Sequence, residues 1–144
     1  MLAALVVSTG AVAVSGGRAQ EPNPVVVDIM GVYASWDYVT ALMNHCWELD
    51  GFEASYKQAA DDWFARNIAA RMDTDAALTA LGGDPEAMAA TARFAPERLM
   101  EAPEAQADPI AYCAKARDQL TSTQFDLDSQ FPEQMSRIRG VTAL

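Results

Sequence analysis

Apolar side chains in this chain recur at helical spacing and almost nowhere at the period of two that a half-buried strand requires. Trp36, Val39, Met43, Cys46 and Trp47 fall on one stripe, and Phe52, Tyr56, Ala59, Ala60, Trp63 and Phe64 on another. The β-branched run Val25-Val26-Val27 is short and isolated. This pattern confines the chain to an all-α fold with a core made of helix faces, expected as a small bundle of four to five helices.

Start and stop signals divide the chain. Ser35 is placed to cap a first helix over 35–49, with Asp37 in its first turn and Asp50-Gly51 ending it. A second helix is predicted over 52–72. Asp73-Thr74-Asp75 reads as a break, Ala76 to Leu81 as a short turn, and Gly82-Gly83 as a left-handed stop. Asp84-Pro85 and Asp108-Pro109 are twin start signals, an N-cap aspartate followed by proline at the first helical position. The third helix they imply is interrupted at Pro96, and Pro103 to Ala107 reads as a linker. The fourth helix extends toward Phe125, and Phe131-Pro132-Glu133 opens a last segment through Ile138. Pro22 and Pro24 restrict the residues before them, so residues 20–34 are expected as an extended arm and 35–140 as the bundle.

The first nineteen residues read as an export signal. An apolar stretch covers Leu2 to Val14, and Gly17 and Ala19 supply small side chains at −3 and −1 of a cut before Gln20. No Lys or Arg precedes the apolar core, so the initiating amine, or residues upstream of Met1, supplies the orienting charge. Left uncleaved, the segment would serve as a membrane anchor. No later run is expected to be long and apolar enough to cross a bilayer. The mature chain is then one domain of about 125 residues.

Export gives the only two cysteines, Cys46 and Cys113, a meaning: an even count in an oxidising space suggests one bridge. It would close a loop of about 68 residues, for which loop-closure entropy gives about 4 kcal/mol. Both cysteines lie on inward stripes, so the bridge would join the first and fourth helices.

Ten basic residues face twenty acidic ones, and removal of Arg18 with the signal leaves a net charge of −11. Such a surface repels nucleic acid and anionic lipid and favours cationic partners. His45 is the only histidine. It shares a face with Glu48, yet zinc needs about four ligands and a bridged Cys46 is withdrawn from that set. Cys-x-x-Cys-His does not occur, which excludes covalent c-type haem by that signature. Asp126-Leu127-Asp128 starts like an alternating calcium loop but lacks the glycine and distal glutamate. Carboxylates are plentiful, but no spacing marks a catalytic pair. Trp36, Trp47, Trp63, Tyr56 and Phe52 are either an aromatic binding face or the core of the first helical hairpin, and the second reading is preferred.

Cys46, then Tyr56, then Trp63-Phe64-Ala65-Arg66-Asn67, with a second cysteine near the start of a later helix at Cys113, resembles a pattern in small exported proteobacterial proteins of uncharacterised function. The resemblance spans roughly 40–130. It implies the fold and export and transfers no activity.

The reading that results is an exported, periplasmic or secreted, small acidic helical domain that acts by binding or structural association, as an accessory subunit of an envelope complex would. It assigns no catalytic residue, metal or cofactor, and its partner is an unidentified protein, with the acidic surface favouring a cationic one. The alternatives are a metal- or haem-binding bundle using His45, and an inhibitor or scavenger of a cationic envelope protein.

Overall fold

The computed structural model describes residues 20–143; the export signal proposed for residues 1–19 lies outside them. Seven α-helices and no strand occur among the described residues, which makes the chain all-α with more helices than the four to five expected. The extra ones are short. Four longer elements build the bundle: α1 (Pro24–Leu49), α2 (Ser55–Ala80), α5 (Pro109–Leu120) and α7 (Pro132–Thr142). Between them lie α3 (Pro85–Thr91), α4 (Pro103–Ala107), α6 (Leu127–Gln130) and single 3-10 turns at Pro96–Arg98 and Thr123–Phe125.

α1 begins eleven residues earlier than its sequence cap suggests. The side chain of Asn23 accepts the Val25 amide at 3.0 Å. Pro24 stands in the first turn, where a missing amide hydrogen leaves no bond unmade. The extended arm expected over 20–34 is therefore limited to Gln20–Asn23, and the bundle runs from Pro24 to Thr142 rather than 35–140. Ile29, Val32 and Tyr33 are buried on the same stripe as Val39, Leu42, Met43 and Cys46, so tertiary burial extends the helix through Ser35. Ser35 does not cap; its hydroxyl donates to the Gly31 carbonyl within the helix at 2.8 Å. As one helix of 26 residues, α1 is also long and apolar enough to cross a membrane, with a hydropathy of 1.2 over its most apolar window. That corrects the expectation that no segment after Ala19 would pass this test.

Gly51 and Phe52 both take positive φ, 64° each, and the Phe52 amide donates to the Trp47 carbonyl at 2.7 Å. The turn reverses the chain into α2, so Phe52 belongs to the connection and not to the second helix; its ring packs edge-on against Trp47, 4.7 Å between centroids. α2 runs without a break through Asp73-Thr74-Asp75. Each of those polar residues is satisfied in place: Thr74 donates to the Ala70 carbonyl at 2.7 Å, Asp73 pairs with Arg139, and Asp75 pairs with Arg71. Ala76 to Leu81, expected as a separate turn, is therefore the end of α2. Gly82, φ 81°, then stops the helix in the left-handed conformation expected, with the Gly83 amide on the Leu78 carbonyl at 2.9 Å.

The two aspartate–proline signals start α3 and α5 as expected. Asp84 accepts the Glu86 amide at 2.9 Å and Asp108 the Ala111 amide at 3.0 Å. The predicted linker at Pro103–Ala107 is instead the short helix α4, and the helix expected to run from Asp108-Pro109 toward Phe125, α5, ends at Leu120.

α1 and α2 form an antiparallel hairpin, with Lys57 beside Asn44 at one end and Asp75 beside Tyr33 near the other. α7 packs on both helices, and α5 packs across α2 and α1. Trp63, Tyr56, Met43, Leu127, Met135 and Ile138 fill the shared interior. Ala59, Ala60, Ala70 and Ala77 on the inner face of α2 are buried too, and their small side chains admit large neighbours. No buried side-chain nitrogen or oxygen lacks a hydrogen-bond partner among the described residues.

Candidate functional site

An open cleft of about 400 Å³ lies between α1 and α5, within the usual range for small-molecule sites. α1 contributes Tyr38, Val39 and Leu42, and α5 contributes Tyr112, Lys115, Ala116, Gln119 and Leu120. Ala102 and Glu104, at the start of α4, and Phe125 from the second 3-10 turn complete the lining. The floor is apolar, from Val39, Leu42, Ala116, Leu120 and Phe125. Polar groups stand around it: the Tyr38 and Tyr112 phenols, Gln119, and one charge of each sign on Lys115 and Glu104.

Each wall is held from behind. Cys46 and Cys113 sit with their sulfurs 2.03 Å apart, at disulfide distance, and tie α1 to α5. Cys46 is one turn beyond Leu42, and Cys113 lies between Tyr112 and Ala116. The segment that carries Leu120 and Phe125 is clamped by α2. Trp63 Nε1 donates to the Phe125 carbonyl at 2.9 Å, and Arg66 donates to the Leu120 carbonyl at 2.5 Å. Arg66 also pairs with Asp126 at 3.0 Å. Asn67, itself buried, accepts the Leu127 amide at 2.7 Å and donates to Asp126 and to the Trp63 carbonyl. The Trp63-Phe64-Ala65-Arg66-Asn67 segment is thus a clamp on residues 120–127.

Tyr38 is positioned by Phe94, 5.0 Å between ring centroids in an edge-on contact, and the neighbouring Asp37 accepts the Phe94 amide. Burial, reinforced by the adjacent Tyr112 phenol, pushes the Tyr38 hydroxyl up to about 12. Tyr38 therefore stays a neutral donor and acceptor through the physiological range. Lys115 and Glu104 are exposed. Among the described residues neither joins an ion pair within 4.0 Å, whereas Arg66, Arg71, Arg98, Arg117, Arg137 and Arg139 each do.

The residues singled out in the sequence are placed elsewhere. His45 is half-buried on α1 beside the Cys46–Cys113 pair. No group of three or more His, Cys, Asp or Glu side chains suited to a metal occurs among the described residues. Asp126 and Asp128, whose alternation starts like a calcium loop without completing one, pair with Arg66 and Arg139. Hydrogen bonds from Arg139 hold the Asp128 carboxyl below its usual range. The aromatic set divides. Trp63 and Tyr56 are buried, Trp36 stacks on Phe64 at 4.8 Å, and Phe52 remains 62% exposed. Of the five aromatics, Trp63 and Tyr56 are hairpin core as preferred from the sequence, Trp36 and Trp47 pack half-buried against that core, and Phe52 lies outside it.

Tyr38, Tyr112, Lys115 and Glu104 escaped the sequence reading because they meet only through packing. Tyr112 adjoins a cysteine expected to bridge toward α1, and that was the one available signal for a site between these helices. Neither protein-family models, curated protein sequences nor solved structures show a match to this chain.

Proposed function

We propose that this chain is an exported, disulfide-closed acidic domain of the periplasm or extracellular space that acts by binding, in the manner of an accessory subunit of an envelope assembly. The supporting observation is the contrast between its polar interior and its cleft. Buried Asn67 and Trp63, with the more exposed Arg66 and Asp126, are engaged in holding α2 to residues 120–127, and buried Thr74 is satisfied within α2. The cleft between α1 and α5 is largely apolar, and Tyr38, Tyr112, Gln119, Lys115 and Glu104 add polar groups to its lining. A concave apolar surface with a few convergent polar groups is the usual form of a ligand site. The Cys46–Cys113 pair is compatible with the oxidising compartment to which the N-terminal segment points.

The test uses the exported chain purified from an envelope fraction. Mass analysis is expected to find it starting at Gln20, and a panel of ester, amide and glycoside substrates is expected to show no turnover. Hydrolysis abolished by changing a single carboxylate overturns the binding reading. A chain retaining Met1 overturns cleavage of the signal.

A further inference from the structure

Resting on the reading of this domain as a binding protein, we infer that the α1–α5 cleft takes a small apolar zwitterion, an α-amino acid with a large aliphatic side chain. The inference comes from the charge balance of the lining. The cleft presents one cation, Lys115, and one anion, Glu104, with no ion pair to either among the described residues. A simple carboxylate would gain Lys115 but meet Glu104 and the net charge of −11 left after removal of Arg18. A simple amine would gain Glu104 but meet Lys115. A zwitterion satisfies both, its carboxylate toward Lys115 and its ammonium toward Glu104.

The remaining chemistry agrees. An apolar lining of Val39, Leu42, Leu120 and Phe125 suits an aliphatic side chain, and its removal from water supplies the non-directional part of the affinity. Tyr38, kept neutral by burial, offers a hydrogen bond without adding charge. The disulfide pair and the Trp63–Arg66–Asn67 clamp hold both walls, so little ordering is left for the guest to impose.

The experiment is a titration of the folded, oxidised domain, followed through NMR signals of Tyr38, Tyr112 and Phe125, with four probes: leucine, N-acetylleucine, leucinamide and the uncharged alcohol 3-methylbutanol. Leucine is expected to bind tightest. Lys115→Gln and Glu104→Gln, both at exposed positions that leave the core intact, should each weaken leucine about three- to fivefold, the size of an exposed charge contact. Lys115→Gln should leave leucinamide at least as tight as before, and Glu104→Gln should do the same for N-acetylleucine. Ala116→Trp, which fills the cleft, should abolish all shifts while circular dichroism stays helical. If N-acetylleucine, leucinamide or the alcohol binds as well as leucine, the zwitterion assignment is overturned and the cleft stands as a binding site. If all four probes, the alcohol included, leave the signals unmoved, the cleft fails as a small-molecule site and the assignment fails with it.

Discussion

The carboxamide oxygen of buried Asn67 accepts the backbone amide of Leu127 at 2.7 Å, across 60 residues of sequence. Its nitrogen donates to the Trp63 carbonyl and to Asp126. Asn67→Ala leaves the Leu127 amide without a partner in the interior, and the expected loss is about 1–3 kcal/mol, read as a lower midpoint in urea. Asn67→Asp places a second carboxylate beside Asp126. It should destabilise more than alanine at neutral pH and recover part of that loss on acidification, when a carboxyl can again donate.

Ile29 decides whether residues 24–34 belong to the fold. It is fully buried on α1 in a stretch whose prolines suggested an arm. Ile29→Ala is expected to cost about 2–5 kcal/mol, as for other buried large-to-small changes. Met72→Ala, at a position 63% exposed on α2, should stay within about 0.5 kcal/mol. Equal effects in a denaturant series would contradict the placement of α1.

Linking Cys46 to Cys113 constrains the unfolded chain over a sequence separation of 67 residues. Reduction, or Cys46→Ser with Cys113→Ser, is expected to cost about 2–5 kcal/mol. Mass analysis of the chain purified without reductant should show two hydrogens fewer than the reduced chain. Two free thiols on a chain made in an oxidising compartment would remove the bridge.

Tyr38 and Tyr33 should ionise late. Burial is the main cause for both, followed by the Tyr112 phenol at Tyr38 and by the hydrogen bond to Asp75 at Tyr33, and each is pushed up to about 12. Because the folded chain holds these protons after the unfolded chain has lost them near pH 10, stability is complete below pH 10. It declines as pH rises toward 12. Ultraviolet titration of phenolate should show a late step that diminishes in Tyr38→Phe. Loss of the whole step below pH 11 in the folded protein would contradict the burial of both rings.

At the acid end, the bonds from Arg139 keep the Asp128 carboxyl ionised below its ordinary range. Its contribution is present above the unfolded carboxyl value and disappears as pH falls through the lower folded value. Both partners are well exposed, so Asp128→Asn should shift the acid midpoint upward by a small amount, and added salt should shrink the difference.

Local chemistry was legible in the sequence wherever a few adjacent residues decide the outcome. Asp84-Pro85 and Asp108-Pro109 started helices because side-chain caps and prolines act within one turn. Gly82 stopped α2 because only glycine reaches its φ without strain. The helical stripes gave the class, and their inward cysteines anticipated the Cys46–Cys113 pairing. The loop signals at Pro22–Pro24, Asp73–Asp75 and Pro103 misled because each residue has a second use. Asn23 with Pro24 is a helix start, and Asp73, Thr74 and Asp75 are tolerated inside α2 once Arg139, the Ala70 carbonyl and Arg71 satisfy them.

What the chain determined by itself is therefore the all-α class, the helix ends with explicit caps and the residues able to bridge. The tertiary structure alone decided that α1 reaches back to Pro24, that Trp63, Arg66 and Asn67 hold residues 120–127, and that Tyr38, Tyr112, Lys115 and Glu104 meet around one cleft. Caps and periodicity are set within a turn or two of the chain. Burial, the partners that satisfy polar groups, and cavities exist only once distant helices are packed together.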